Sequence, residues 1–178
     1  MLTINDIELT QDNLDNNNYT FQPELTKELD DLNGIFNQNT INQIILWKVN
    51  RYSIFNDETL NKLNQIKKSE TQLDLNITKE ILYSLLSIKG VQLAMASTIL
   101  RFKNPNIYQI IDQRVFRFIY GVELPSYFSS IEKQTDLYLN YLEKLKCVCK
   151  DKNINFSISD RIIYELDKQY NKKIKIKY

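Results

Sequence analysis

Leu85-Leu86-Ser87-Ile88-Lys89-Gly90-Val91-Gln92-Leu93-Ala94-Met95-Ala96-Ser97-Thr98-Ile99-Leu100 decides how this chain is read. Two apolar-periodic segments meet at one glycine. Thr78, Ile81, Leu82, Leu85 and Leu86 repeat at helical spacing before it, and Leu93, Ala96, Ile99 and Leu100 resume the repeat until Asn104-Pro105. Proline lacks the N–H that would continue a helix, so the second segment stops there. Helix, hairpin and helix are predicted. Glycine permits a backbone conformation closed to other residues, and the free N–H groups at the start of the next helix form an anion site suited to a phosphate. Ala94, Ala96 and Ser97 are small enough for the second helix to lie close against the first.

Downstream, Asn106 to Ile111 reads as an extended linker, and Asp112 caps a short helix carrying Val115, Phe118 and Ile119 that Gly121 closes. A long helix follows Pro125, with Ile131, Tyr138, Tyr141, Leu142, Leu145 and Val148 on one stripe. Ser159 caps the last, with Ile162, Ile163 and Leu166 inward. Upstream, Asn39 or Thr40 caps a helix with Ile41, Ile44, Ile45 and Val49, which carries Trp47 on its flank. Asp57 caps another with Leu60, Leu63 and Ile66, and Thr78 starts the one that enters the hairpin. Residues 1 to about 32 read as a loose polar leader with one short turn of helix. The expected boundaries are a leader at 1–38, a helical domain at 39–171 and a basic tail at 172–178 that alternates like an edge strand or stays disordered.

Composition supports a helical protein. Of 178 residues only three are glycine and three proline, too few turn makers for a many-stranded sandwich, and 43% apolar content suffices for a core. All-α is the expected class. Histidine is absent, which excludes imidazole bases and Ser-His or Cys-His nucleophiles, so any chemistry falls to carboxylates, amines or phenols. Cys147 and Cys149 stand two apart on a predicted helix and cannot bridge each other, and read as reduced thiols of a cytoplasmic protein. No basic region followed by an apolar run opens the chain, and no uncharged stretch of about 18 apolar residues occurs. Net charge is +1, but residues 1–44 sum to −7 and the remainder to +8. A basic body suits a polyanionic partner.

The apolar-x-Gly-apolar turn at Ile88-Lys89-Gly90-Val91, Ala96 in the second helix, and Asp112-Gln113-Arg114-Val115-Phe116-Arg117 at matching separation resemble the helix-hairpin-helix DNA glycosylase superfamily. Leu46-Trp47-Lys48-x-x-Arg51, Asn104-Pro105-x-x-Tyr108 and Ile111-Asp112-x-Arg114 are similar to a bacterial branch of it. The resemblance covers roughly residues 40 to 170 and implies a two-lobed fold, a monomer, and duplex DNA with an extruded base as partner. Lys89, Gly90, Val91, Gln92, Leu93, Ala94 and Arg114 would contact DNA, and Trp47, Lys48, Arg51 and Tyr108 would line the pocket, the other reading being that Trp47 is core and Lys48 solvated. Asp112 would stabilise the oxocarbenium ion and orient or deprotonate the attacking water. It implies no cofactor, with room for a monovalent ion at the hairpin.

Two departures shape the expectation. Gln92 stands where the family has its second glycine, keeping the N–H but adding a side chain that either crowds the backbone or donates a further hydrogen bond. Ala94 stands where bifunctional members carry the Schiff-base lysine, and the cluster cysteines of endonuclease III are lacking. A monofunctional glycosylase without lyase activity is implied. The other reading is a catalytically silent DNA-binding or protein-interaction module in which Asp112 is only a cap. Further candidates carry the same duality. Arg101, Lys103, Arg114 and Arg117 suit phosphates, Arg117 better a structural ion pair. Tyr52, Tyr83, Tyr108 and Tyr120 suit either base stacking or core edges, and Lys168 to Lys177 reads as a solvated basic run or, through counterion release, as a source of nonspecific DNA affinity.

Overall fold

The structure is a computed structural model that describes residues 21–32, 36–49 and 53–175. The described residues form eight α-helices and a 3-10 turn, with no strand, so the protein is all-α. The chain divides into two compact units, Met1–Tyr52 and Ser53–Tyr178.

The first unit holds α1 (Pro23–Asp30) and α2 (Gln38–Lys48). Pro23 takes the first helical position, where its missing N–H costs nothing. Asn37, not Asn39 or Thr40, caps α2, its side chain accepting from the Thr40 amide. Trp47 ties the pair together: its indole N–H donates to Thr26 Oγ1 at 2.8 Å, its carbonyl accepts from Gln22 Nε2 at 2.8 Å, and its ring meets Phe21 edge-on at 5.3 Å. Ile41, Ile45, Leu46 and Val49 are exposed, so the periodic apolar positions of α2 do not form the expected core stripe.

The second unit holds α3 (Asp57–Gln65), α4 (Leu75–Leu86), α5 (Leu93–Lys103), α6 (Gln113–Tyr120), α7 (Ile131–Lys152), a 3-10 turn at Phe156–Ile158 and α8 (Ser159–Tyr170). Helix α4 packs on α3, α5 and α7, while α6 lies between α8 and α7. Ile81, Leu82, Leu85, Leu100, Ile111, Leu142 and Leu145 form a core in which each is almost wholly buried. Truncating such a residue to alanine costs about 2–5 kcal/mol. Within the expected stripes, Leu60 and Phe118 are exposed.

Several helix starts lie upstream of the predicted ones. Asn56 caps α3, Asp74 caps α4 by accepting from the Ile77 amide, and Asn155 caps the 3-10 turn. Thr78 is buried inside α4, where its hydroxyl shares a 2.8 Å hydrogen bond with Tyr108. Ser159 begins α8 without capping it, its hydroxyl donating instead to the Phe156 carbonyl. Gly121 ends α6 in the left-handed region at φ 72°, as its position at the close of the apolar repeat implied. The basic run after α8 is neither strand nor free tail over its described part. Residues 171–174 turn, with the Ile174 amide donating to the Asn171 carbonyl at 2.9 Å.

Candidate functional site

The hairpin forms at the expected place. Helix α4 ends at Leu86, Gly90 adopts φ 90°, and α5 begins at Leu93. Val91 and Leu93 turn into the core, whereas Lys89, Gly90, Gln92 and Ala94 face solvent. Val91 and Leu93 therefore offer only backbone to a partner. The Val91 amide closes the turn on the Ile88 carbonyl at 3.0 Å, and Ser53 Oγ donates to the Lys89 carbonyl at 3.3 Å. A Cβ on Gly90 would stand 3.1 Å from that Ser53 oxygen, in addition to the strain of its positive φ. Gln92 occupies the N-cap position of α5 without a side-chain cap bond. Its side chain thus leaves the amides that open the helix uncapped. Ala96 and Ser97 are fully buried, but Ala94 is not part of the close approach between the two helices.

Asp112 lies at the end of a segment fastened residue by residue. Tyr138 and Tyr141, one turn apart on α7 and stacked at 6.1 Å, donate their hydroxyls to the Gln109 carbonyl at 3.0 Å and the Ile110 carbonyl at 2.6 Å. Burial pushes both phenols well above their ordinary range, so they remain protonated donors. The next amide, Ile111 N–H, donates to Ser97 Oγ at 3.2 Å, and that hydroxyl donates to the Ala94 carbonyl at 2.8 Å. A two-bond relay therefore joins the first turn of α5, at the hairpin, to the residue before Asp112. Asp112 itself caps α6, its Oδ1 accepting from the Val115 amide at 2.8 Å. Gln113 completes the fastening through paired bonds with the Leu124 backbone.

The Asp112 carboxyl opens into a pocket of about 350 Å³ with Ile110, Val115, Asp160, Arg161, Tyr164 and Glu165. This is the lower end of the volumes that hold small ligands. Burial raises the Asp112 pKa above the ordinary aspartate range, and the neighbouring Asp160 charge adds to the rise. The Val115 and Arg114 amides and the Arg114 charge oppose it without cancelling it. The group is therefore a stronger base than a surface aspartate.

Asp160 carried no signal in the sequence. It is buried, and its Oδ2 lies 3.5 Å from the Nε of buried Arg101, with neither atom in a hydrogen bond. Arg101 also donates to the Ser157 carbonyl at 3.2 Å. It is thus spent inside the fold, contrary to its expected role at a phosphate. Tyr164, also unflagged, supplies the aromatic wall of the pocket, with the Arg114 guanidinium and the Lys168 ammonium each 5.5 Å from its ring centre.

Arg114, expected on DNA, donates instead to Asp167 Oδ2 at 3.1 Å. Arg117 grips the same fully buried carboxylate with both arms at 2.7 Å, a structural ion pair of the kind expected for it. Burial pushes the Asp167 carboxyl up, but these bonds and that from Asn171 outweigh it and hold the pKa below the usual range. Tyr108, expected in the pocket, is buried against Thr78 and does not line it. Its position reflects the stop at Asn104-Pro105. Asn104 is sealed in the fold, with its side chain donating to the Lys67 and Glu70 carbonyls, and the chain that follows turns inward. Tyr120 stacks on Phe116 at 4.4 Å, Tyr83 is exposed, and Lys103 donates to Asn64 Oδ1. Trp47 and Lys48 belong to the first unit, where Lys48 is exposed. Arg51 and Tyr52 lie outside the described residues.

Among the described residues no helix is long and apolar enough to cross a membrane, and no group of three or more acidic or cysteine side chains is arranged to hold a metal ion. Comparison with protein-family models, with curated proteins and with solved structures returns no match for this chain.

Proposed function

We propose that the protein binds DNA through the Gly90 hairpin and hydrolyses the N-glycosidic bond of an extruded, altered base at Asp112. The resemblance to the helix-hairpin-helix glycosylases, and the two-lobed fold it implies, belong to the same proposal. The observation that carries it is the pairing of features around Ser97: the uncapped start of α5 and the segment bearing Asp112 are joined by two hydrogen bonds, and Asp112 faces an open pocket rather than packed hydrocarbon. A strand whose phosphate rests on the amides of α5 has its sugar within the reach of the same small region.

In this reading the glycosidic bond breaks with its electron pair leaving on the base, and the sugar carbon develops oxocarbenium character. The ionised Asp112 stabilises that cation and takes a proton from the water that adds to it. The raised pKa of Asp112 strengthens it as a base and sets the acid limb of the pH profile above the ordinary aspartate range. Tyr164 offers the extruded base an aromatic wall. Ala94 stands exposed where a Schiff-base amine would be needed, so product is an abasic site cleaved only by added alkali. The test is a panel of duplex oligonucleotides carrying different altered bases, incubated with wild type and Asp112→Asn and then treated with alkali. Alkali-dependent cleavage by the wild type alone is expected. Cleavage without alkali, or a borohydride-trapped adduct, contradicts the monofunctional reaction.

A further inference from the structure

A second surface lies on α6, α8 and the turn after α8. Phe118 and Tyr170 stack with ring centres 6.4 Å apart and planes 28° from parallel, and Tyr170 is 70% exposed. Val122 and Ile174 are exposed near the ends of the same elements. The basic run is folded back beside this aromatic pair. Arg117 Nη1 donates to the Ile174 carbonyl at 3.2 Å, and Asn171 Nδ2 donates to the buried Asp167 at 2.8 Å. Lys172, Lys173 and Lys175 are thereby presented as exposed groups on a pinned turn. Over 113–122 and 164–175 there are six cations against two acids, and both acids are engaged, Asp167 with Arg114 and Arg117 and Glu165 with Lys168. Free positive charge beside an open aromatic face is what remains.

We infer that the stacked Phe118–Tyr170 pair, with Lys172, Lys173 and Lys175, is a docking surface for a nucleic-acid strand, on which Tyr170 stacks an unpaired base while the lysines meet its phosphates. Aromatic faces accept any base, and lysines arranged along a strand add affinity by releasing counterions, so binding is sequence-tolerant. The charge favours a polyanion, and the exposed Tyr170 ring offers surface to a flat partner. This surface stands apart from excision at Asp112, since it engages undamaged strand. Its residues lie on the surface, so substitutions there leave the core intact.

The experiment is fluorescence anisotropy of a labelled, undamaged single-stranded oligonucleotide with the full chain, across a salt series, beside sedimentation with phosphatidylserine-containing vesicles. Tyr170→Ala is expected to weaken strand binding about tenfold. The triple variant Lys172→Gln, Lys173→Gln, Lys175→Gln is expected to lower the slope of log affinity against log salt by about 2. Excision by Tyr170→Ala at saturating protein is expected to equal that of the wild type, so a failed excision assay and a failed strand-binding assay are told apart. Unchanged affinity in Tyr170→Ala, or sedimentation with vesicles without oligonucleotide binding, overturns the inference.

Discussion

The turn at Gly90 and the segment entering Asp112 are both short links between helices, yet they are held by different means. The hairpin relies chiefly on backbone: one glycine at φ 90°, one amide–carbonyl bond at Val91 and exposed positions at 89, 90, 92 and 94, with the Ser53 hydroxyl bonded to the Lys89 carbonyl. The Asp112 segment relies on side chains reaching in from two other helices, with Tyr138, Tyr141 and Ser97 fixing three successive residues. The contrast suits a division of labour. An anion site made of backbone tolerates almost any side chain around it, whereas a carboxylate that acts on one atom needs its position fixed from several directions.

The largest effect should come from the ion pair that joins α6 to α8. Replacing Arg117 with Met leaves the buried Asp167 carboxylate short of its main partner and should cost about 3–5 kcal/mol, measured by urea unfolding. The same pair has a pH signature. Because the Asp167 pKa is lowered on folding, its contribution is present above the ordinary carboxylate range and is lost as pH falls through the lowered value. Acid unfolding of wild type should therefore steepen below the ordinary range, and the Arg117→Met variant should lose that component.

Tyr141→Phe should destabilise by about 1–3 kcal/mol, since the Ile110 carbonyl loses its buried donor. Excision by this variant should fall while strand affinity holds, a split that equal losses of both would contradict. At the hairpin the reverse is expected. Gly90→Ala forces a side chain into positive φ for about 1–2 kcal/mol and should weaken strand binding more than it slows the bound reaction. Single-turnover kinetics at saturating protein separates the two.

What was legible in the sequence follows from the reach of each signal. Gly90, Pro105 and Gly121 punctuate the chain because glycine and proline restrict or free the backbone locally, and the structure turns or stops a helix at each. Caps were less legible. The chain is crowded with Asn, Asp, Ser and Thr, any of which can accept the first amide, and Asn37 and Asp74 win over Thr40 and Thr78, whose own side chains turn inward. Periodicity marked α2 as amphipathic but gave it no partner, and Ile41, Ile45 and Leu46 are exposed. Asp160 with Arg101, and Arg114 with Asp167, join positions more than fifty residues apart, a relation that no local pattern carries. Asp112 was legible as a cap. Its pocket was not, because most of the wall comes from α8.

The smallest expected effect on stability belongs to Asp112→Asn, and it bears most directly on function. Asparagine caps as well as aspartate. Burial raises the Asp112 pKa, so the charged form costs stability as pH rises through the raised value, and the neutral amide avoids that cost. The variant should melt no lower than wild type at pH 7, with the difference vanishing below about pH 4.

The decisive measurement pairs excision rate with oligonucleotide affinity for Asp112→Asn and wild type on the substrate found in the altered-base panel. At least about a hundredfold loss of excision with affinity unchanged is expected. Equal turnover by the two proteins, or parallel loss of binding and excision, would contradict a catalytic carboxylate at this position.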